Sequence, residues 1–443
     1  MARSINDLKN YQFRNDNLIN ALFSIHACIQ RDSANYRAME KIIYLDNAAT
    51  SFPKPTQVQE AMIDYISRVG ANPGRSGHQL AVAAARIIHN TREQLGMLLH
   101  VVDVNRIIFT LNVTESLNTI IQGFLNPGDH VITTAMEHNS VLRPLKYLEK
   151  NQQITLSIIS CDHKGFLDLN ALGQAISRQT ALVVVNHASN VCGTIQDLKA
   201  IRGIIGETPL LVDAAQTAGC YPLDVMDPQI DFLAFTGHKG LLGPQGTGGF
   251  YIREGLTIRP LKRGGTGSIS EKMIQPDFLP DALESGTQNN VGLAGLGVGV
   301  AFLLEEGIDK IREHEKSLTK AFLDALYDTQ GVTIYGPLNP DQQTATISFT
   351  FDRIMPNDDD PGFSGCGAIN LAWMEEGMPT DEAGNLLDSE YDILVRSGMH
   401  CAPLAHRTLG TYPEGTIRIS FGYFNTMADV RAVARAIRKI AGY

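Results

Sequence analysis

The sequence of 443 residues lacks several features that would place it in a common class of protein. No apolar run reaches the roughly 20 residues that a helix needs to cross a bilayer. No basic start is followed by the charge-free core of a secretory signal. Basic residues are in deficit, since 37 Lys and Arg stand against 47 Asp and Glu, for a net charge of −10. We therefore expect neither nucleic acid nor a membrane as the main partner.

The cysteines are few and scattered, and no two of them form a CxxC pair. We therefore expect neither a metal site of the zinc type nor a disulfide framework. This usage is typical of a protein in the reducing cytoplasm. The six are Cys28, Cys161, Cys192, Cys220, Cys366 and Cys401.

The chain is too long for one ordinary hydrophobic core, so we expect more than one domain. Hydrophobic residues make up 44% and charged residues 19%, which is typical of a globular protein. We predict an N-terminal extension over 1–40 with one amphipathic helix, a large domain over 41–300 and a C-terminal small domain over 301–443. Residues 41–57 are expected to contribute to the small domain.

Strand and helix patterns alternate from about 105 to 236, with strands near 105–110, 130–135, 154–160, 181–187, 209–214 and 231–236. This alternation predicts an α/β fold with a mostly parallel sheet and helices on both faces. From about 300 the pattern changes to α+β, with helices over 308–328 and 427–441 and strands near 344–351, 391–396 and 416–423.

Lys239 follows a short apolar strand and stands in a glycine-bordered turn, where a partly apolar wall can lower the pKa of an amine. Asp213 ends another apolar strand earlier in the chain. A strand, a crossover and a second strand would bring both residues to one edge of a parallel sheet, where ligands bind. A lysine that forms a Schiff base and an aspartate that pairs with the ring nitrogen are the minimum set of residues needed to bind pyridoxal 5'-phosphate (PLP). The alternative for Lys239 is a solvated lysine in a flexible loop.

Three further positions have both a functional and a structural interpretation. Hydroxyl side chains at the start of the helix predicted over 114–125 suit a phosphate, or Thr114 or Ser116 simply caps that helix. His138 follows a strand and could lie over a flat ring or move a proton, or it is a half-buried structural histidine. Asn190, at another strand end, could bond a ring hydroxyl, or it forms a turn.

Cys401 and Arg418 are the candidates for the C-terminal half. Cys401 follows a predicted strand and lies beside His400, and a cationic neighbour lowers the pKa of a thiol. The alternative is a buried, inert thiol. Arg418 lies on a strand, and a guanidinium group is the usual partner of a substrate carboxylate. An exposed salt bridge is the alternative for this arginine.

From Leu45 to the C-terminus, about nine-tenths of the chain, the sequence resembles the class V aminotransferase-like PLP enzymes, and within them the cysteine desulfurases. The matching segments are LDNAATSFPKP, NVTESLN, MEHNSVLRP, HASNVCG, VDAAQTAG, FTGHKGLLGPQG, LESGTQN, RSGMHCAP and IRISFGYFN. The short RSGMHCAP segment is similar to the desulfurase group that includes selenocysteine lyases. The resemblance implies PLP-dependent transferase fold type I, with a mostly parallel seven-stranded sheet. The segments 1–40 and 353–388 depart from the family pattern.

The resemblance also implies roles for individual residues. Lys239 would bind PLP and carry the proton at the substrate Cα, Asp213 would pair with the pyridinium nitrogen, and His138 would stack on the ring. Arg418 would bind the substrate carboxylate, and Cys401 would attack the substrate sulfur. Further implied contacts are Gln216 and Asn190 to the ring hydroxyl side and the substrate, Ala49 to the substrate, and Thr114, the backbone of Glu115, Thr236 and His238 to the phosphate.

Thr287, in the GTQN sequence, would by the same resemblance reach the phosphate of a partner subunit, which implies a homodimer. The implied reaction converts L-cysteine to L-alanine, leaves a persulfide on Cys401, and passes its sulfur to an acceptor protein or thiol. Alternatives are a selenocysteine lyase using the same residues, or an aminotransferase or epimerase, which need no thiol at Cys401. A non-enzymatic PLP-binding sulfur carrier is the alternative from a different class.

Overall fold

The computed structural model describes residues 42–73, 77–352 and 377–442. The first strand, β1 (Ile43–Tyr44), lies with a small C-terminal domain, and the next seven build the sheet of a large domain. These seven are β2 (Ile107–Thr110), β3 (Asp129–Thr134), β4 (Ile154–Ile159), β5 (Thr180–Asn186), β6 (Leu210–Asp213), β7 (Phe232–Thr236) and β8 (Gly248–Ile252). Their spatial order is β2–β8–β7–β6–β5–β3–β4.

The prediction of a mostly parallel seven-stranded sheet is confirmed, because β4, β3, β5, β6 and β7 pair in parallel. Strand β8 was not predicted and runs antiparallel to both of its neighbours. Its first residues are glycines, which conceal the strand in the sequence. The glycine is required at Gly248, where a Cβ would lie 2.7 Å from the Cα of Asn112.

Helices cover the sheet of the large domain. They are α1 (Thr56–Asp64), α2 (Gln79–Leu99), α3 (Val113–Phe124), α4 (Asn139–Lys150), α5 (Leu169–Ala175), α6 (Leu198–Ile205) and α7 (Asn290–Glu306). The sequence pattern did not predict α7, because this helix is apolar on all sides and shows no helical period. It packs closely on α2, where the Thr91 hydroxyl donates to the carbonyl of Leu293. The boundary predicted near 300 therefore falls inside a helix of the large domain.

Beyond β1, the described part of the small domain contains three main helices, one short helix and five strands. These elements are α8 (Ile308–Leu326), β9 (Val332–Tyr335), β10 (Thr346–Phe351), α9 (Thr380–Tyr391), β11 (Ile393–Leu394), β12 (Arg396–Gly398), α10 (Pro403–Leu409), β13 (Thr416–Ser420) and α11 (Met427–Ile440). Four strands form an antiparallel sheet in the order β12–β13–β10–β9, and β1 pairs in parallel with β11. Helices α8, α9 and α11 pack around the hydrophobic core of this domain.

The amphipathic helix predicted within 1–40 lies outside the described residues, as does most of the segment 353–388 that departs from the family pattern. Among the helices of 42–73, 77–352 and 377–442, none is long and apolar enough to cross a membrane by itself; α7 and α8 meet that test only as a pair bent by 82°.

Candidate active site

A cavity of about 220 Å³ lies at the carboxyl ends of β5, β6 and β7, between the two domains. We call it the Lys239 cavity. It brings together most of the side chains that the sequence singled out. Those that line it are Ala49, Thr114, His138, Asn190, Asp213, Gln216, Thr236, His238, Lys239 and Arg418.

Lys239 stands in the turn that follows β7, and no hydrogen bond to its Nζ occurs within the described ranges. Burial lowers the pKa of this amine to about 8, while Asp213 opposes the shift and Arg418 adds to it. An amine with this pKa is unprotonated in about a tenth of the molecules at pH 7, a far larger fraction than for an ordinary lysine. Lys239 is therefore suited to attack a carbonyl carbon or to take a proton from carbon.

Asp213 ends β6, which pairs in parallel with β7, so both strand ends lie at one edge of the sheet, as predicted. The Asp213 side chain is 5% exposed, and its Oδ1 accepts a hydrogen bond from the Ala215 N–H at 2.9 Å. Burial raises the pKa of this carboxyl, although the Ala215 bond and the charge of Lys239 oppose the shift. A cation bound beside Asp213, such as a protonated ring nitrogen, would favour the ionised form.

His138 caps α4, because its Nδ1 accepts a hydrogen bond from the Ser140 N–H at 3.1 Å. Burial lowers the pKa of His138 to about 4, and the charge of Lys239 contributes. The imidazole is therefore neutral at physiological pH. The structural role anticipated for His138 is real, and it leaves a neutral, flat ring on the wall of the cavity.

The expected capping of α3 is wrong in detail, because the cap is Asn112, whose Oδ1 accepts from the Glu115 N–H at 3.0 Å. Thr114 instead shares a hydrogen bond of 2.8 Å with the Ser140 hydroxyl and faces the cavity. The Glu115 N–H therefore already has an acceptor in Asn112. The contact that the resemblance implies between the Glu115 backbone and a phosphate stays a prediction.

Arg418 on β13 is 1% exposed, which excludes the exposed salt bridge considered above. One of its terminal nitrogens lies 2.6 Å from Asp46 Oδ1, and the other donates to the Asn190 carbonyl at 3.0 Å. Burial lowers the pKa of Arg418, and Asp46 opposes that shift. Asp46 was not among the residues predicted from the sequence. Its signal was an acid directly after an apolar strand, the same pattern that identified Asp213.

Cys401 is exposed, so the alternative of a buried thiol does not hold, and it directly follows His400, which lines the cavity. The expected cationic neighbour is a different residue. Burial and the charge of Arg418 lower the pKa of His400 to about 2, so that imidazole is neutral. Arg396 supplies the charge instead, with a guanidinium nitrogen 3.9 Å from Cys401 Sγ. Arg396 also lines the cavity, and it stands in the RSGMHCAP segment without having been singled out.

Of the remaining predicted residues, Asn190 and Gln216 line the Lys239 cavity and Thr287 does not. Asn190 donates from Nδ2 to the His400 carbonyl at 2.7 Å, and Gln216 donates to the Ala48 carbonyl at 3.1 Å, both at the cavity. Thr287 is not brought to this cavity. It lies on a separate cavity of about 290 Å³, together with Asn72 and other residues.

Several buried polar atoms around the Lys239 cavity have no hydrogen-bond partner among the described residues. They are Thr236 Oγ1, His238 Nδ1, Asn190 Oδ1 and Arg418 Nε. Buried polar atoms are normally paired, so this set indicates a polar ligand. With the Lys239 amine and Asp213, the set fits a ligand that carries a carbonyl, a basic ring nitrogen and a phosphate, accompanied by a carboxylate.

The comparisons with known proteins agree with this geometry. The model of the class V aminotransferase family matches residues 43–433. A probable cysteine desulfurase of Pyrococcus abyssi is 33% identical over 414 residues, 90% of this chain and 94% of that protein. A probable cysteine desulfurase of Methanothermobacter thermautotrophicus is 31% identical over 408 residues, 90% of this chain and 95% of that protein.

Solved structures are similar over the same span. The apo structure of the cysteine desulfurase from Thermococcus onnurineus has a TM-score of 0.79 and 31% identity, and covers 91% of this chain and 96% of that one. The cysteine desulfurase CsdA of Escherichia coli has a TM-score of 0.76 and 28% identity, and covers 92% and 98%. With a family model spanning both domains and the site, the chain belongs to the class V aminotransferase family.

Proposed function

We propose that the protein is a PLP-dependent cysteine desulfurase that converts L-cysteine to L-alanine and accepts the sulfur on Cys401. The observation that carries the proposal is the exposed Cys401 thiol, next to Arg396, at the cavity that holds Lys239, Asp213 and Arg418. An aminotransferase or an epimerase would need the last three residues and would have no use for the thiol.

The residues that would hold PLP follow from the cavity. Lys239 would bind the aldehyde carbon, Asp213 the ring nitrogen, and His138 would pack on the ring. The Thr236 hydroxyl and the His238 ring nitrogen, which have no partner in the described part of the chain, would bind the phosphate, with Thr114. When bound, PLP supplies an electron sink for the bonds at the substrate Cα.

The chain's own residues perform the remaining steps. Arg418 binds the substrate carboxylate, for which its Nε is unpartnered among the described residues. Lys239 removes the proton from Cα. The Cys401 thiolate then attacks the substrate sulfur, so that a sulfur–sulfur bond forms while the bond from sulfur to Cβ breaks and its electron pair stays on the carbon side. Protonation of Cβ, followed by return of a proton from Lys239 to Cα, gives alanine, and an acceptor thiol or protein removes the sulfur from Cys401.

Thr287 supports the proposal of a homodimer, because it lies outside the Lys239 cavity of its own chain. We propose that it serves the site of a second copy. Met273 and Ile274, which like Thr287 lie between β8 and α7 in the chain, have exposed apolar side chains that suit burial against that copy.

The test is alanine release from L-cysteine and from L-selenocysteine by wild type, Cys401→Ser and Lys239→Ala, with PLP and a thiol reductant present. A desulfurase requires that wild type turn over cysteine and that both variants fail. Turnover of selenocysteine alone, retained in Cys401→Ser, would identify a selenocysteine lyase. Cofactor absorbance that does not respond to either amino acid would favour a PLP-binding sulfur carrier.

A further inference from the structure

The turn that carries Cys401 has an unusual backbone. His400 and Cys401 have φ angles of 47° and 58°, in the left-handed region that residues with a Cβ seldom adopt. Such a conformation persists only when surrounding contacts hold it. Cys401 is exposed, whereas His400 is 2% exposed. The ring of His400 is therefore the side chain through which the protein can stabilise this turn.

A path of hydrogen bonds begins at the ring of His400, and every bond in it is donated in the same direction. His400 Nε2 lies 3.1 Å from both the carbonyl oxygen and the hydroxyl of Thr416. Because a carbonyl only accepts, Nε2 carries the proton. The Thr416 hydroxyl donates to Ser348 Oγ at 2.8 Å, and that hydroxyl donates to the Val191 carbonyl at 2.7 Å. Each hydroxyl thus accepts one bond and donates one, so removing the first donor affects the whole path.

The path closes on itself through Asn190, the neighbour of Val191. Asn190 donates from Nδ2 to the His400 carbonyl at 2.7 Å, and its own carbonyl accepts from Arg418 at 3.0 Å. The next carbonyl, that of Cys401, accepts from the Asn139 N–H at 2.8 Å. The closed ring of bonds joins the turn to β10, β13 and the segment after β5. It therefore connects both domains at the thiol.

His400 does not act through charge. Its Nδ1 is buried and has no partner among the described residues, so a proton added there would find no acceptor. The Nε2–H and its acceptors on Thr416 are satisfied by a neutral ring. The contribution of His400 to the thiol is consequently geometric.

We propose that His400 is a positioning residue, whose Nε2–H bond to Thr416 holds the Cys401 turn so that the thiol faces Arg396 and the substrate sulfur. The proposal rests on the proposed function, in which Cys401 accepts that sulfur. Loss of the Nε2–H should misplace the thiol and leave in place Lys239 and Asp213, which carry out the chemistry at Cα.

The experiment compares two reactions of the holoenzyme. Alanine formation from L-cysteine needs the thiol, whereas exchange of the Cα hydrogen of L-alanine with deuterated water needs Lys239 and not Cys401. His400→Leu removes the Nε2–H donor altogether. Thr416→Val removes the hydroxyl that continues the path to Ser348, while the Thr416 carbonyl still accepts from Nε2. In His400→Leu we expect kcat for alanine formation to fall about 10²-fold, the effect of a misplaced reactive group, and in Thr416→Val by a smaller factor, with Cα exchange within about threefold of wild type in both.

Two conservative variants serve as matched controls. His400→Gln keeps an N–H donor near the position of Nε2, and Thr416→Ser keeps the hydroxyl, so both should restore most of the lost kcat. The pair at Thr416 keeps the test decisive if His400→Leu does not fold.

The outcomes separate the two proposals. Wild-type kcat in both His400→Leu and Thr416→Val would overturn the positioning role, as would a loss of Cα exchange in step with kcat, which would indicate a general structural role. If Cys401→Ser retained kcat, the proposed function itself would fail. If Cys401→Ser were inactive while the His400 and Thr416 variants were not, the proposed function would stand without the positioning role.

Discussion

Arg418 is already paired with a carboxylate of its own chain, since its guanidinium group lies 2.6 Å from Asp46 Oδ1. The arginine is 1% exposed and Asp46 is 22% exposed. A substrate carboxylate that binds Arg418 must therefore share or displace this internal partner. Asp46 is expected to set the affinity for amino acids and to neutralise a buried charge when no substrate is bound.

We predict that Asp46→Asn binds L-cysteine several-fold more tightly and has a free energy of unfolding lower by about 3 kcal/mol, because a buried arginine loses its counter-ion. Spectral titration and chemical denaturation measure the two quantities. The matched control is Asp231→Asn, which removes a buried carboxylate paired with Arg202 and Arg253 at the other end of β7. That control should lose stability without a change in affinity. Weaker binding by Asp46→Asn would mean that Asp46 assists Arg418.

The lowered pKa of Lys239, about 8, predicts the pH dependence of cofactor uptake. Below that pH the amine is protonated and cannot attack an aldehyde. The rate at which cofactor-free protein takes up PLP should rise about tenfold per pH unit up to about pH 8 and then level off. A lysine with an unshifted pKa would show a continuing rise to about pH 10.5. Because the unfolded chain binds this proton more tightly, Lys239 should also make the free energy of unfolding increase with pH between these two values.

Lys54 is the amine most easily confused with Lys239, since burial also lowers its pKa to about 8. Its Nζ donates to the Ser51 hydroxyl and to the His238 carbonyl. Lys54→Met should retain the uptake profile and Lys239→Ala should abolish it. The reverse result would transfer the cofactor site to Lys54.

Replacement of Asp213 should separate cofactor binding from catalysis. Asp213→Asn keeps an oxygen for the Ala215 N–H but cannot hold a positive charge on a ring nitrogen. We expect PLP to remain bound while Cα hydrogen exchange of L-alanine in deuterated water slows about 10²-fold, within the range for loss of one preorganised electrostatic contact. Exchange at the wild-type rate would remove Asp213 from its proposed role.

Gly219 allows two loops at the site to touch. Its φ is +93°, and a Cβ would lie 2.3 Å from the Gly240 carbonyl oxygen, directly after Lys239. Gly219→Ala should cost at least about 2 kcal/mol of stability from backbone strain and the clash, and should weaken PLP binding. The control is Gly203→Ala in α6, where no atom of the described residues lies within 4 Å of the added Cβ apart from the helix's own backbone and the two neighbouring residues. There the helix should gain about 0.5–1 kcal/mol. Urea denaturation measures the free energy of unfolding of both variants. Equal values for the two would contradict the prediction.

Local patterns were sufficient for six of the seven strands of the large sheet, β2 to β7, and for the residues at its edge. Apolar strands ending in Asp213 and Lys239 are visible in the sequence because strand length and burial leave a local signal. Strand β8 and helix α7 left no such signal. In β8 two glycines interrupt the strand pattern, and α7 is apolar on all sides and so shows no helical period. Their burial depends on packing partners far along the chain.

The order of the strands and helices from β2 to β7, and the identities of the lysine, aspartate, histidine, cysteine and arginine at the site, could be predicted from the sequence alone. Each of these residues stands at the end of a recognisable element or in a family motif. The tertiary structure decided which groups are charged and what each one touches. Arg396 rather than His400 is the cation beside Cys401, and Asp46 is the partner of Arg418. The physical reason is that burial and long-range contacts set pKa values and hydrogen bonds, and neither is encoded within a few neighbouring residues.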